Sequence, residues 1–221
     1  MNTDKYDRKL KSESPLDYLI YYPLSELLLD PIHCLGLTPN MVTYLSIVLN
    51  LLSAYFLIKD KIVLSMILCN LAYLCDSIDG KLARKFNMSS DFGMKLDIVS
   101  DNICYIILIY VILVKKKFDI KFILIILFLY YMNSKWHGLN EAINCYKKNG
   151  HDNFYKINYD KFKDDKSILN KLFLFTLKIS YKSYKQDFPN FDQKCIEKKL
   201  GFYRYFGAGS IPLFSCLLTL Y

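Results

Sequence analysis

The chain has 221 residues, 53% of them hydrophobic, and a formal net charge of +8. Its apolar residues gather in runs close to the length that crosses about 30 Å of hydrocarbon, which excludes an ordinary soluble domain and predicts an integral membrane protein. The lysines fall mainly between those runs, so the basic balance points to anionic lipid headgroups and away from nucleic acid.

The first fifteen residues are polar. From Leu16 to Cys34 apolar residues recur at helical spacing, interrupted by Asp17, Pro23, Glu26, Asp30 and Pro31. That pattern is unlike a cleavable signal sequence and predicts an amphipathic helix lying in the membrane interface, so residues 1–37 read as a cytoplasmic tail plus interfacial helix. No lipidation box is visible. Thr38-Pro39-Asn40 stops and restarts the chain, with Thr38 or Asn40 as a helix cap, ahead of a first span from Met41 to Ile58. Lys59, Asp60 and Lys61 close it. A second run, Ile62 to Cys75, leads directly into Asp76, and a third runs from Phe92 to Val114 with Asp97 and Asp101 in its opening turns. Lys115 to Lys117 end the third run, and Ile120 to Met132 supplies a fourth whose Lys121 can snorkel to the interface.

The stretch of about 133–171 is polar and reads as a helix extension followed by a water-exposed connection. Leu172 to Ile179 is apolar but short, and Phe202 to Tyr221 is long enough but carries Arg204, Gly207, Gly209 and Pro212. The expected fold class is therefore an all-α integral membrane protein of about six transmembrane helices, its membrane domain covering 38–221. An N-in topology places Lys5, Arg8, Lys9, Lys11, Lys81, Arg84, Lys85 and the basic 147–171 connection in the cytoplasm, as the positive-inside rule asks. The same topology puts Lys59, Lys61 and Lys115 to Lys117 outside, against that rule. The seven cysteines show no C-x-x-C spacing and read as packed thiols.

The chemistry concentrates in Asp76-Ser-Ile-Asp79-Gly80-Lys-Leu-Ala83-Arg84, followed by Gly93, Asp97 and Asp101. Asp76 and Asp79 are i, i+3 neighbours and Asp97 and Asp101 are i, i+4 neighbours, so each pair projects from one helix face. An ionised Asp in hydrocarbon costs about 2.5–3.5 kcal/mol on insertion scales, and four facing one another call for Mg²⁺ or Mn²⁺ held by hard oxygen ligands. Such ions in turn clamp phosphate oxygens. Gly80 allows a nucleotide close to the helix backbone, Arg84 offers a fork suited to phosphate, and Gly93 permits close packing of the third span. For a single Asp pair, ordinary solvated charge neutralised by Lys81, Arg84, Lys85 and Lys95 is the simpler reading; the complete spacing favours a metal cage.

The segment Asp76 to Asp101 matches every fixed position of D-x2-D-G-x2-A-R-x8-G-x3-D-x3-D and so resembles the signature of the CDP-alcohol phosphatidyltransferase family. The resemblance implies a six-helix membrane enzyme that cleaves a CDP-linked substrate at its pyrophosphate, passes the phospho group to a hydroxyl and releases CMP. By motif position, Asp76, Asp79, Asp97 and Asp101 would hold two divalent ions, and Asp101 would also be the general base. Gly80, Ala83, Arg84 and Ser90 would line the cytidine diphosphate site, joined by Pro39, Asn40 and Thr43 of a P-N-x-x-T element that resembles the opening of the first span in this family. The short chain favours CDP-diacylglycerol as donor and a polar alcohol as acceptor, over the transfer of an aminoalcohol phosphate from CDP-choline or CDP-ethanolamine to diacylglycerol. A non-catalytic relative that stores metal or supports assembly is the reading from a different class. Lys135 and Arg204 are candidates for a phosphorylated acceptor, His33, His137 and His151 receive no role, and homodimers are usual in families of this resemblance.

Overall fold

The computed structural model describes residues 13–220, and every regular element among them is helical. Lys5, Arg8, Lys9 and Lys11, used in the topology argument, lie outside the described residues, as does Tyr221. Packing divides the chain into two compact units, one formed by Leu16–Ile126 with the final helix and the other containing Leu127–Ala208.

In the first unit a π-helical turn, Asp17–Tyr21, runs into α1 (Tyr22–Cys34). Pro23 sits at the junction where the π-helical turn hands over to α1. Gly36, at φ +73°, then reverses the chain. Thr38 caps α2 (Pro39–Ile58), its Oγ1 accepting from the Met41 amide at 3.4 Å. After a tight turn through Asp60 comes α3 (Ile62–Lys85), one unbroken helix from the apolar run through the whole Asp76 to Arg84 motif. Ser90 Oγ accepts from the Gly93 amide at 3.0 Å and so starts α4 (Asp91–Lys115). These three helices are long and apolar enough to cross a membrane, each with a stretch of mean hydropathy of at least 1.6.

Small hydroxyl residues hold them together. Ser46 Oγ donates to the Ala72 carbonyl at 2.9 Å and Ser53 Oγ to the Ser65 carbonyl at 2.8 Å, bringing α2 and α3 backbones close where lipid offers no hydrophobic drive between helices. Below them Ala54, Leu57, Cys69, Leu108, Val111 and Ile112 make one apolar cluster across α2, α3 and α4. Leu29, Val42, Ile78 and Leu82 make a second, joining α1 to α2 and α3. Val48, Leu51, Ile67, Ile103, Ile106 and Tyr110 point outward and stay exposed, as lipid-facing residues do.

The expected fourth run opens α5 (Ile120–Asn149). Its 13 residues from Ile120 to Met132, apolar but for Lys121, rise only about 20 Å before Asn133 begins a polar continuation of the same helix. In the second unit α6 (Phe154–Phe162), α7 (Ile168–Asp187) and α8 (Gln193–Tyr203) follow. The expected fifth run lies inside α7, which buries Phe173, Leu177, Ser180 and Tyr184 on one face and exposes Lys171, Lys178 and Lys182 on the other. Gly138 of α5 meets α7 so closely that a Cβ would stand 2.6 Å from the Ser180 carbonyl. The expected sixth run is broken at Arg204–Phe206 and Ala208–Ser210 by short 3₁₀ turns, leaving α9 (Ile211–Leu220). Within the first unit α9 packs against α3 and α4. The six cysteines whose side chains are described are free thiols.

Candidate active site

The site assembles where the helix caps fall. Thr38 places Pro39, Asn40 and Thr43 at the start of α2; the polar end of α3 carries Asp76 to Arg84; the Ser90 cap sets the phase of Asp97 and Asp101 on α4. Asp76, Asp97 and Asp101, all half-buried, each offer a carboxylate oxygen, and the three oxygens lie within 4.8 Å of one another. Asp79 stands outside this triad. It is 3% exposed and accepts a 2.5 Å hydrogen bond on Oδ2 from Thr43 Oγ1.

Beside the triad is a cavity of about 340 Å³. Pro39, Asn40, Thr43, Gly80, Ala83, Arg84 and Ser90, the seven residues that the two sequence elements single out for the nucleotide, all line it. Asp79 and Asp97 line it too, so Asp97 belongs to both the triad and the cavity. The loop from α3 to α4 adds Met88, Ser89 and Asp91, which the sequence reading did not select. The signal available for them was their place on either side of the Ser90 cap.

Two glycines fix the walls. A Cβ on Gly93 would stand 2.7 Å from Asn40 Oδ1 and 3.0 Å from Ser90 Oγ, so the bare backbone of α4 is what lets it seat against the start of α2. At Gly80 the space a Cβ would take is approached by the Arg84 guanidinium, 3.3 Å away, so the missing side chain makes room first for the arginine.

The donor set suits a hard divalent cation. Three carboxylate oxygens this close repel one another by about 3 kcal/mol per pair at an effective dielectric of 20. Asp97 Oδ1 is also buried without a hydrogen-bond partner. An ion such as Mg²⁺ or Mn²⁺ would meet both deficits with oxygen ligation alone.

The remaining sequence candidates lie elsewhere. Lys135 is buried in the second unit, pairing with Asp187 Oδ2 at 3.0 Å and donating to the Ser183 carbonyl at 2.7 Å. Arg204 lies over the Tyr205 ring at 5.3 Å. His33 stacks on Phe86, and His137 meets Trp136 edge to face.

A carboxylate triad flanked by a cavity, at one end of helices apolar enough to cross a membrane, is an arrangement able to hold a divalent cation. Residues 36–138 match the family model for CDP-alcohol phosphatidyltransferase, and every residue of the site lies within that stretch. Similar proteins include an uncharacterized protein of Aquifex aeolicus, 37% identical over 36% of this chain and 42% of the relative. A probable CDP-diacylglycerol–inositol 3-phosphatidyltransferase 2 of Arabidopsis thaliana is 38% identical over 29% of this chain and 28% of the relative. A CDP-diacylglycerol–serine O-phosphatidyltransferase of Helicobacter pylori is 33% identical over 34% of this chain and 32% of the relative. The chain thus spans less than half the length of these relatives. No solved structure matches.

Proposed function

We propose that the protein transfers a phosphatidyl group from CDP-diacylglycerol to the hydroxyl of a polar alcohol and releases CMP. The observation that carries this reading is the cavity shared by all seven expected nucleotide residues and by Asp97 of the triad. The names of the Arabidopsis and Helicobacter relatives, which transfer to inositol and to serine, support a CDP-diacylglycerol donor.

In this reading the cytidine diphosphate occupies the cavity, with Arg84 on its phosphates and Pro39, Asn40, Thr43, Gly80, Ala83 and Ser90 around the nucleotide. Asp76, Asp97 and Asp101 would hold divalent metal, with Asp79 the fourth carboxylate for a second ion. Metal bound there would polarise the pyrophosphate and neutralise charge on the departing CMP. Asp101, the deeper of the two triad carboxylates on α4, takes the proton from the attacking hydroxyl. The apolar faces of α2 to α4 leave the acyl chains in the bilayer while the motif end stays wet.

The finer architecture belongs to the same proposal. Residues 1–37 form a cytoplasmic tail and an interfacial α1, and 38–221 form the membrane domain, crossed by α2, α3, α4 and the first half of α5. The site faces the cytoplasm, and two copies of the chain pair. The reading is tested by incubating purified protein with Mg²⁺, CDP-diacylglycerol and, in turn, inositol, serine and glycerol 3-phosphate. CMP should form with one of them and stop on chelation. No CMP with any, including a parallel assay of CDP-choline with diacylglycerol, would leave the non-catalytic alternative standing.

A further inference from the structure

Below the triad the bundle keeps one more polar group whose role nothing above supplies. Along α4, Asp97, Asp101, Tyr105, Leu108 and Ile112 follow at i, i+4, i+8, i+11 and i+15, a single inward stripe. Leu108 and Ile112 end it in the closed apolar cluster with Cys69 and Leu57. Tyr105 therefore occupies the layer between the carboxylates and the packed core. On the facing helix Tyr73 is one turn before Asp76, and its hydroxyl is satisfied: it donates to Asp17 Oδ1 at 2.7 Å. The Tyr105 hydroxyl is buried and bonded to nothing. Buried hydroxyls are almost always paired, so an orphan at this depth marks a place for a missing partner.

We infer that the Tyr105 hydroxyl, one turn below Asp101, binds an uncharged hydroxyl of the acceptor alcohol. This rests on the transferase reading and extends it to the acceptor. Three observations choose the ligand. The core beneath is closed by Cys69, Leu108 and Ile112, so an acyl chain has no path there and the group must enter past the triad from the polar end. The side chains that bear most on the Tyr105 hydroxyl are Cys69, Asp101, Asp76 and Asp17, with no cationic side chain among them to hold a phosphate at that depth. A phenol is both donor and acceptor, the complement of an alcohol. A neutral polyhydroxy acceptor, one hydroxyl at Asp101 and a neighbouring one at Tyr105, meets all three.

The test compares Tyr105→Phe with wild type and with Tyr110→Phe, a lipid-facing control on the same helix. The full chain is assayed in bilayer nanodiscs with CDP-diacylglycerol, Mg²⁺ and inositol, serine or glycerol 3-phosphate. For the acceptor that wild type uses, Tyr105→Phe should raise KM about 5- to 10-fold, leave the KM for CDP-diacylglycerol within about twofold, and leave Tm unchanged or higher, because a hydroxyl with no partner in the protein is removed. Tyr110→Phe should change none of these. An unchanged acceptor KM in Tyr105→Phe overturns the assignment and leaves a trapped water as the partner. A lowered Tm with both KM values raised together also overturns it, because the hydroxyl then serves the fold. Wild type selecting glycerol 3-phosphate alone sinks the uncharged acceptor, whereas no CMP with any acceptor fails the transferase reading itself.

Discussion

Asp97 joins two environments that pull on it differently: one oxygen is buried without a partner, and the carboxylate as a whole belongs both to the triad and to the cavity wall. Asp101 has a narrower position, in the triad but away from the cavity lining. If it is the base, Asp101→Asn keeps the shape and removes the proton acceptor; CMP release should fall by about 10²–10⁴-fold while equilibrium binding of CDP stays within a fewfold of wild type. Loss of CDP binding in parallel with turnover would make Asp101 a ligand first and a base second. Gly93 makes a second prediction. Gly93→Ala pushes a methyl group into Asn40 Oδ1 and Ser90 Oγ, so it should cost about 1–3 kcal/mol of stability and weaken CDP binding, read by thermal melts and nucleotide titration. The chemistry-bearing residues were legible because spacing on a helix fixes which side chains share a face. The Thr43 bond to Asp79 was not legible, since it depends on how α2 is rotated against α3, which no one-dimensional pattern records.

At the scale of elements, α2 and α4 could be read from the sequence to within two residues because caps and apolar runs coincide: Thr38 and Ser90 accept the amides that begin them, whereas the apolar run that opens α3 stops at Cys75 and the helix continues through the motif to Lys85. The later helices were harder because polar and apolar residues alternate within a turn. α7 is held by a node that has no motif. Asp152 accepts from Tyr184 Oη at 2.5 Å and from Lys185 Nζ at 2.6 Å, with Tyr184 fully buried. Burial pushes the Asp152 carboxyl up, but the bonds from Lys185 and Tyr184 outweigh it and hold the group below the usual carboxylate range. A carboxyl depressed in the folded state stabilises the fold fully above about pH 4 and loses that contribution as pH falls through its lowered value. Lys185→Met should therefore destabilise by about 1–3 kcal/mol at pH 7, and the gap to wild type in thermal melts should shrink as the pH drops below about 4. A gap independent of pH between 7 and 3 would assign the effect to packing and remove the ion pair from the account.

For the whole molecule the open quantity is how often the chain crosses the bilayer. Three helices are long and apolar enough to cross, and the six passes expected from the sequence need α7 to cross as well. Its 20 residues rise about 30 Å, enough for the hydrocarbon. Against crossing stand Lys171, Lys182, Lys185 and Asp187 toward its ends and Lys178, exposed near its middle, the last alone at about 2.5–3.5 kcal/mol on insertion scales. In favour are Leu172, Phe173, Leu174, Phe175 and Leu177, each worth about 0.3–0.6 kcal/mol, which together offset most of that cost. Ile168 and Phe175, 77% and 61% exposed, would face lipid. The balance is against insertion of the isolated helix, and Lys185 and Asp187 at its far end are held by Asp152 and Lys135, both beyond the fourth apolar run. Those bonds keep the far end of α7 on the side that residue 150 occupies, so α7 is expected to lie in the interface. Reporter fusions after Lys61, Asn87, Lys117, Gly150 and Asn190 should then place 87, 150 and 190 in the cytoplasm and 61 and 117 outside. A 190 reporter outside in the wild type would mean that both bonds break on insertion and would restore the fifth and sixth passes together.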